Sequence, residues 1–263
     1  KAAEAGKHIL IEKPLALTCS EGQQVIEYCK EKGVKIAAGF MMRFGACVQA
    51  MKAAVHAGKI GNVVSINAQF TCWYPDIPGS WRQKLATAGG GALTDMGVHV
   101  IDLVRFITGN EIRQVAAMHG TNTFSYEVED SACALLRLDN NALCSIHANF
   151  NIPDEASRWR LELFGTKGRL SGENVIGQED SGNVNAVFLS NNEEYNAQQD
   201  TGSIKADTIE VTYGNLYAKE IESFSNSILF NRELEVPAEA AVKAQAVIEA
   251  AYLSNNQGII VSV

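Results

Sequence analysis

No uninterrupted apolar run in the 263 residues approaches the roughly 18 that a membrane-spanning helix requires, so an integral membrane protein is not expected. Basic residues are in deficit, 22 Lys and Arg against 30 Asp and Glu for a formal charge of −8. No stripe gathers them, which makes nucleic acid and anionic membranes poor partners. The cysteines (Cys19, Cys29, Cys47, Cys72, Cys133 and Cys144) contain no C-x-x-C pair. A zinc knuckle or a disulfide framework is therefore not indicated, and reduced thiols in a cytoplasmic compartment are. Prolines number five and charged residues 20% of the chain, ordinary for a folded globular protein. The sequence opens with Lys1 inside what reads as a helix end, so the question of an N-terminal signal stays open.

His8–Ile11 is a short apolar run bounded by Gly6 and Pro14, the form of a buried parallel strand. Thr18-x-x-Glu21 is a capping box that opens a helix through Ile26 and Cys29, which Gly33 closes. A second strand, Val34–Phe40, completes a βαβ unit and predicts a parallel sheet. A helix over 46–57 follows. Beyond it, apolar and polar residues alternate over 64–72, 131–138, 143–150 and 158–164, the pattern of strands with one buried and one mixed face. Helices are expected over 215–230 and 238–256, and the polar stretch 191–202 reads as a surface loop. The fold class is therefore α/β: part of a Rossmann dinucleotide-binding domain over 1–43, then an α+β domain over 44–263 with a large, open-faced, mostly antiparallel sheet. The terminal helix could return to the first domain.

The densest chemical signal is Gly89-Gly-Gly-Ala-Leu-Thr-Asp-Met-Gly-Val-His-Val-Ile-Asp102. Leu93, Met96, Val100, Leu103, Val104 and Ile107 form a helical apolar stripe; at 100° per residue Asp95, His99 and Asp102 gather within roughly 60° on the opposite side. A face with three ionisable groups predicts a cleft wall, and the glycines predict free N–H groups open to a ligand. Ligands of open α/β sheets bind beyond the carboxyl ends of strands, where Lys13 stands in Ile11-Glu12-Lys13-Pro14. Trp81-Arg82, in a Pro/Gly-rich connection, could form another wall. Each has a plainer reading: a core histidine, a surface lysine, a core tryptophan beside an exposed arginine.

These three pieces, in this order, resemble the glucose-fructose oxidoreductase / inositol dehydrogenase (Gfo/Idh/MocA) family of oxidoreductases. The resemblance runs over essentially the whole chain, including Phe164–Leu170 and the terminal helix and strand. It implies NAD or NADP as cofactor, a sugar, polyol or inositol as substrate, and a homodimer or homotetramer built through the open sheet face. Carried over residue by residue, it implies Lys13, Asp95 and His99 as the catalytic trio. Glu12, Lys13, Pro14, Arg43, Trp81 and Arg82 would lie near cofactor, and Lys13, Arg82, Asp95 and His99 near substrate. The chain departs from the family in lacking any G-x-G-x-x-G. The expectation is that it is an N-terminally truncated piece which binds NAD(P) weakly by itself. Met41-Met42 ahead of Arg43 is a second departure.

In alcohol oxidation His99 would take the hydroxyl proton, Lys13 would stabilise the developing alkoxide, and Asp95 would bind a substrate hydroxyl and orient His99. Two rivals are a non-enzymatic NAD(P)/sugar sensor on this fold and a metal-dependent hydrolase or isomerase in which Asp95, His99 and Asp102 converge on one ion. No resident metal is expected on the preferred reading.

Overall fold

The structure is a computed structural model and describes residues 1–189 and 205–263; the loop expected over 191–202 lies outside them. The chain opens with strand β1 (Ile9–Glu12), helix α1 (Cys19–Glu31) and strand β2 (Ile36–Gly39). β1 and β2 pair in parallel, Ile9 opposite Ile36 and Glu12 opposite Gly39. The capping box forms as read: Thr18 Oγ1 accepts from Glu21 N and a Glu21 carboxylate oxygen accepts from Thr18 N.

A 3₁₀ turn (Met41–Phe44) leads into α2 (Ala46–His56) and then β3 (Val63–Thr71). Then come α3 (Leu85–Ala88), a π-helical turn (Leu93–Gly97) and α4 (Val98–Thr108). Six strands follow: β4 (Ile112–Gly120), β5 (Ser131–Leu138), β6 (Leu143–Asn149), β7 (Arg160–Gly165), β8 (Gly168–Glu173) and β9 (Asn183–Phe188). Strand β10 (Asp207–Ile209), helices α5 (Leu216–Leu229) and α6 (Ala238–Gln257), and β11 (Val261–Ser262) complete the chain. Strands β3 to β11 make one nine-stranded sheet in the order β10-β9-β8-β7-β3-β6-β5-β4-β11. Only the central β3–β6 pair is parallel.

Alternation sets the two faces of this sheet. Ala132, Ala134, Leu136 and Leu138 of β5 and Cys144, Ile146 and Ala148 of β6 point inward and are buried. All but Ala148, which packs with Ala92, Met96 and Phe150, join one core with Val48 and Met51 of α2, Val100 and Leu103 of α4, and Val247 and Ile248 of α6. The opposite face is uncovered along β4, β5 and β6, where Met118, Leu135 and Leu143 are exposed. Helix α6 also reaches back to the first sheet: Glu249 accepts from Cys19 N at 2.7 Å, Ala238 joins the core of α1, β1 and β2, and Ala38 N donates to Val236 O. No helix among the described residues is long and apolar enough to cross a membrane.

One buried charge pair ties the segment after β2 to α4. Arg43 Nε donates to Asp102 Oδ2 at 2.8 Å, Nη2 reaches Oδ1, and Nη1 donates to Glu235 O. Both side chains are almost wholly buried, so the bidentate pair satisfies charges that would otherwise be costly there. Removing one partner leaves the other unpaired. Asp102→Ala is accordingly expected to lower stability by about 3–5 kcal/mol in urea titration; a loss below about 1 kcal/mol would show that the pair does not brace this junction.

Candidate active site

The site begins at the carboxyl end of β1. Lys13 follows the strand directly, and its Lys13–Pro14 bond is cis. Its ammonium donates to Asp95 Oδ1 at 2.7 Å and to the Asp95 carbonyl oxygen at 2.6 Å, across 82 residues of sequence. The lysine side chain is mostly buried and the aspartate more open. A cleft over this pair is lined by Lys13, Pro14, Trp81, Arg82, Gly91, Asp95 and Phe150 among others. Trp81 is exposed and the Arg82 guanidinium lies 4.9 Å from its ring centroid, so the pair forms a wall and the tryptophan is not a core residue.

His99, expected at the substrate, is not among the residues that line this cleft: it is buried beneath the surface, near enough to Lys13 to feel its charge. Only 5% of it is exposed. The rings of Phe40 and Phe70 meet it edge to face at 5.7 and 6.4 Å, and its Nδ1 is buried without a hydrogen-bond partner. Burial, reinforced by the positive charge of Lys13, holds its pKa well below the usual histidine range. It is therefore a neutral imidazole at neutral pH. An orphaned ring nitrogen beside a lysine is an incomplete polar arrangement, the kind that a bound polar group completes.

The helix that carries these residues differs from the even α-helix expected of it. Val98 N donates back five residues to Leu93 O, which opens the turn and breaks the 100° spacing between Asp95 and His99. The three ionisable groups consequently part company. Asp95 turns to Lys13, His99 to the phenylalanines, and Asp102 to Arg43. Asp95 thus holds Lys13 where it was expected to orient His99, Asp102 braces the helix through Arg43, and the three do not converge as the metal-dependent rival requires. Two of the three glycine N–H groups are taken, Gly89 N by Leu85 O at 2.9 Å and Gly91 N by Glu129. Glu129 Oε2 accepts from Gly91 N at 2.8 Å, its Oε1 from Leu93 N at 2.9 Å, and its carbonyl from Ala92 N at 3.0 Å.

Among the other expected residues, Arg43 lies in the buried pair with Asp102 and borders a separate recess with Arg105 and Phe106. Glu12 sits at the exposed end of β1 against Gly39, close to the buried Glu220 of α5. Sequence reasoning passed over Glu129 and Glu220. The glycine run was the signal for the first, because it demands that something press close, without saying what. A lone glutamate on an amphipathic helix gives no signal for the second.

Burial, with the charge of Glu12, pushes the Glu220 carboxyl up to about 7. Its folded form holds a proton that the unfolded chain has lost, so its contribution to stability falls as pH rises from the unfolded value towards 7. His99 acts oppositely, costing stability as pH falls through 6.5, where the unfolded chain binds a proton and the folded one does not. Thermal melts should show Glu220→Gln gaining on the parent between pH 6 and 8. The His99 ring proton should show no titration above pH 6 by NMR; a midpoint near 6.5 would contradict its burial.

The known proteins similar to this chain share this architecture. Residues 1–40 match the profile of the oxidoreductase family with an NAD-binding Rossmann fold, and residues 48–171 match the GFO/IDH/MocA C-terminal domain. A 1,5-anhydro-D-fructose reductase of Ensifer adhaerens is 30% identical over 70% of this chain and 55% of its own length. The chain thus spans little more than half of that curated relative. The crystal structure of an aldose-aldose oxidoreductase from Caulobacter crescentus, complexed with glycerol, superimposes with a TM-score of 0.87 and 26% identity, covering all of this chain and 74% of that one. A levoglucosan dehydrogenase in complex with NADH and levoglucosan gives 0.86 and 25%, again over all of this chain and 75% of the other. Sequence and fold agree, and the chain belongs to the Gfo/Idh/MocA family of oxidoreductases.

Proposed function

We propose that this chain forms the substrate side, and the nicotinamide end, of an NAD(P)-dependent oxidoreductase acting on a secondary hydroxyl or ketone of a sugar, polyol or inositol. The observation that carries the reading is the meeting of Lys13 with Asp95 in a cleft at the end of a parallel strand, with the unpartnered His99 buried near enough to feel the charge of Lys13. On this reading residues 1–43 belong to the dinucleotide-binding domain and 44–263 to the substrate domain. The relatives' sugar and polyol chemistry supports the substrate class. Six unpaired cysteines support a cytoplasmic setting.

The bound nicotinamide supplies the hydride acceptor. The chain's own residues handle the proton and the charge. Neutral His99 accepts the hydroxyl proton as the carbon gives up its hydride, and in reduction the protonated ring returns it. Lys13 Nζ, aligned by both oxygens of Asp95 that it touches, stabilises the developing alkoxide. Asp95, the more open of the pair, keeps an edge free to accept from a neighbouring substrate hydroxyl. Trp81 and Arg82 close one wall, while Pro14 and Gly91 let a flat ring approach.

Purified protein carrying this chain, screened with NAD and NADP over polyols, aldoses and inositols, should reduce the cofactor with at least one of them. His99→Ala should lower kcat about 10²–10⁴-fold, and Lys13→Met about 10²-fold or more, with folded spectra retained. Unchanged turnover in His99→Ala would overturn the base assignment, and NAD(P) binding without turnover of any alcohol would favour the sensor.

The open face of the large sheet supports a homodimer or homotetramer. Met118, Leu135 and Leu143 lie on adjacent strands, exposed, with half-polar neighbours such as Ser145 and His147. Leu135→Glu should convert the assembly to monomers by light scattering; a parent protein already monomeric at micromolar concentration would contradict this interface.

A further inference from the structure

The hydrogen bonds around Glu129 extend the site beyond the residues that face the cleft. Glu129 lies just ahead of β5 and is buried. Its two carboxylate oxygens and its carbonyl take the N–H groups of Gly91, Ala92 and Leu93, three donors at the start of the helix that bears Asp95 and His99. Tyr252 of α6 donates its hydroxyl to Glu129 Oε1 at 2.7 Å and lies 3.0 Å from the Thr94 hydroxyl. Burial and the Glu129 charge push the Tyr252 pKa up, so the hydroxyl stays a donor. The glycines are matched to this contact. A Cβ at Gly91 would overlap the Glu129 carbonyl oxygen, and one at Gly90 would overlap the Tyr252 hydroxyl.

The same bonds lead to the reacting groups. Asp95 N donates to Gly91 O at 2.8 Å, and the Asp95 carbonyl and carboxylate then fix Lys13. A displacement of the Gly91 turn therefore moves Asp95, and through it the ammonium. Resting on the oxidoreductase reading above, we infer that Glu129, assisted by Tyr252, is a positioning residue: it pins the start of the site helix so that Asp95 holds Lys13 at the reacting oxygen. Its side chain borders neither substrate nor cofactor in the cleft, and it acts only through the backbone of Gly91–Leu93.

The test compares Glu129→Gln and Tyr252→Phe with the parent protein by two readouts. Gln keeps the shape but points an amide donor at an N–H group that needs an acceptor. Steady-state kinetics should show kcat reduced about 10–100-fold in Glu129→Gln, the cost of a small misplacement of catalytic groups. Tyr252→Phe should show a smaller loss, and the cofactor KM should move less than about 2-fold in both. The second readout needs no activity. Brief acetylation with acetic anhydride, followed by peptide mass spectrometry, should label Lys13 several-fold faster in both variants, whereas Lys219, held by Asp180, should label at the parent rate. If Glu129→Gln does not fold, Tyr252→Phe alone decides by the same two measures. Parent-like kcat, or a kcat loss with Lys13 labelling unchanged, overturns the inference. A parent protein that oxidises no alcohol defeats the oxidoreductase reading, and the labelling then still judges the positioning claim.

Discussion

A mostly buried lysine has few stable arrangements, and the one at position 13 organises the rest of this molecule. Its ammonium has been taken largely out of water, so it needs an anion and a fixed acceptor, and Asp95 supplies both. One partner ends a strand of the small parallel sheet; the other begins the helix that packs on the nine-stranded sheet. Joining them requires that the two sheets meet at one edge. The buried Arg43–Asp102 pair and the contacts of α6 with α1 hold that meeting from below.

The chemistry follows from what surrounds the pair. His99 is dry and close to a cation, two conditions that keep it neutral, and its Nδ1 is buried without a partner. Asp95 is wetter than Lys13, which on the proposed reading leaves it an edge for a polar substrate. The π turn sets the spacing of Asp95 and His99 apart from that of a regular α-helix.

Much of this was legible in the sequence because local rules were obeyed. The Thr18–Glu21 capping box, the βαβ order and the alternation of β3, β5, β6 and β7 were each visible, and observed ends lie within a few residues of those expected. Strand β4 was not visible, since a bulge between Ile112 and Gln114 shifts its alternation and Ala116-Ala117 blurs what is left. β8 and β9 are six residues each, too short for a period to stand out. In the site, Lys13 and Asp95 were readable as residue types at a strand end and after a glycine run. The partner of the glycines was not, because Glu129 sits in a connection whose importance arises only when the chain folds back on Gly91.

In the proposed mechanism Lys13 and Asp95 act as one unit. A double-mutant cycle on kcat/KM measures that directly, using Lys13→Met, Asp95→Asn and the double variant. If the two form one unit, the double variant should lose scarcely more activity than the worse single variant, a coupling of about 2 kcal/mol or more between groups in direct contact. Losses that simply multiply, with coupling near zero, would mean that the pair does not work as a unit and would contradict the mechanism built on it.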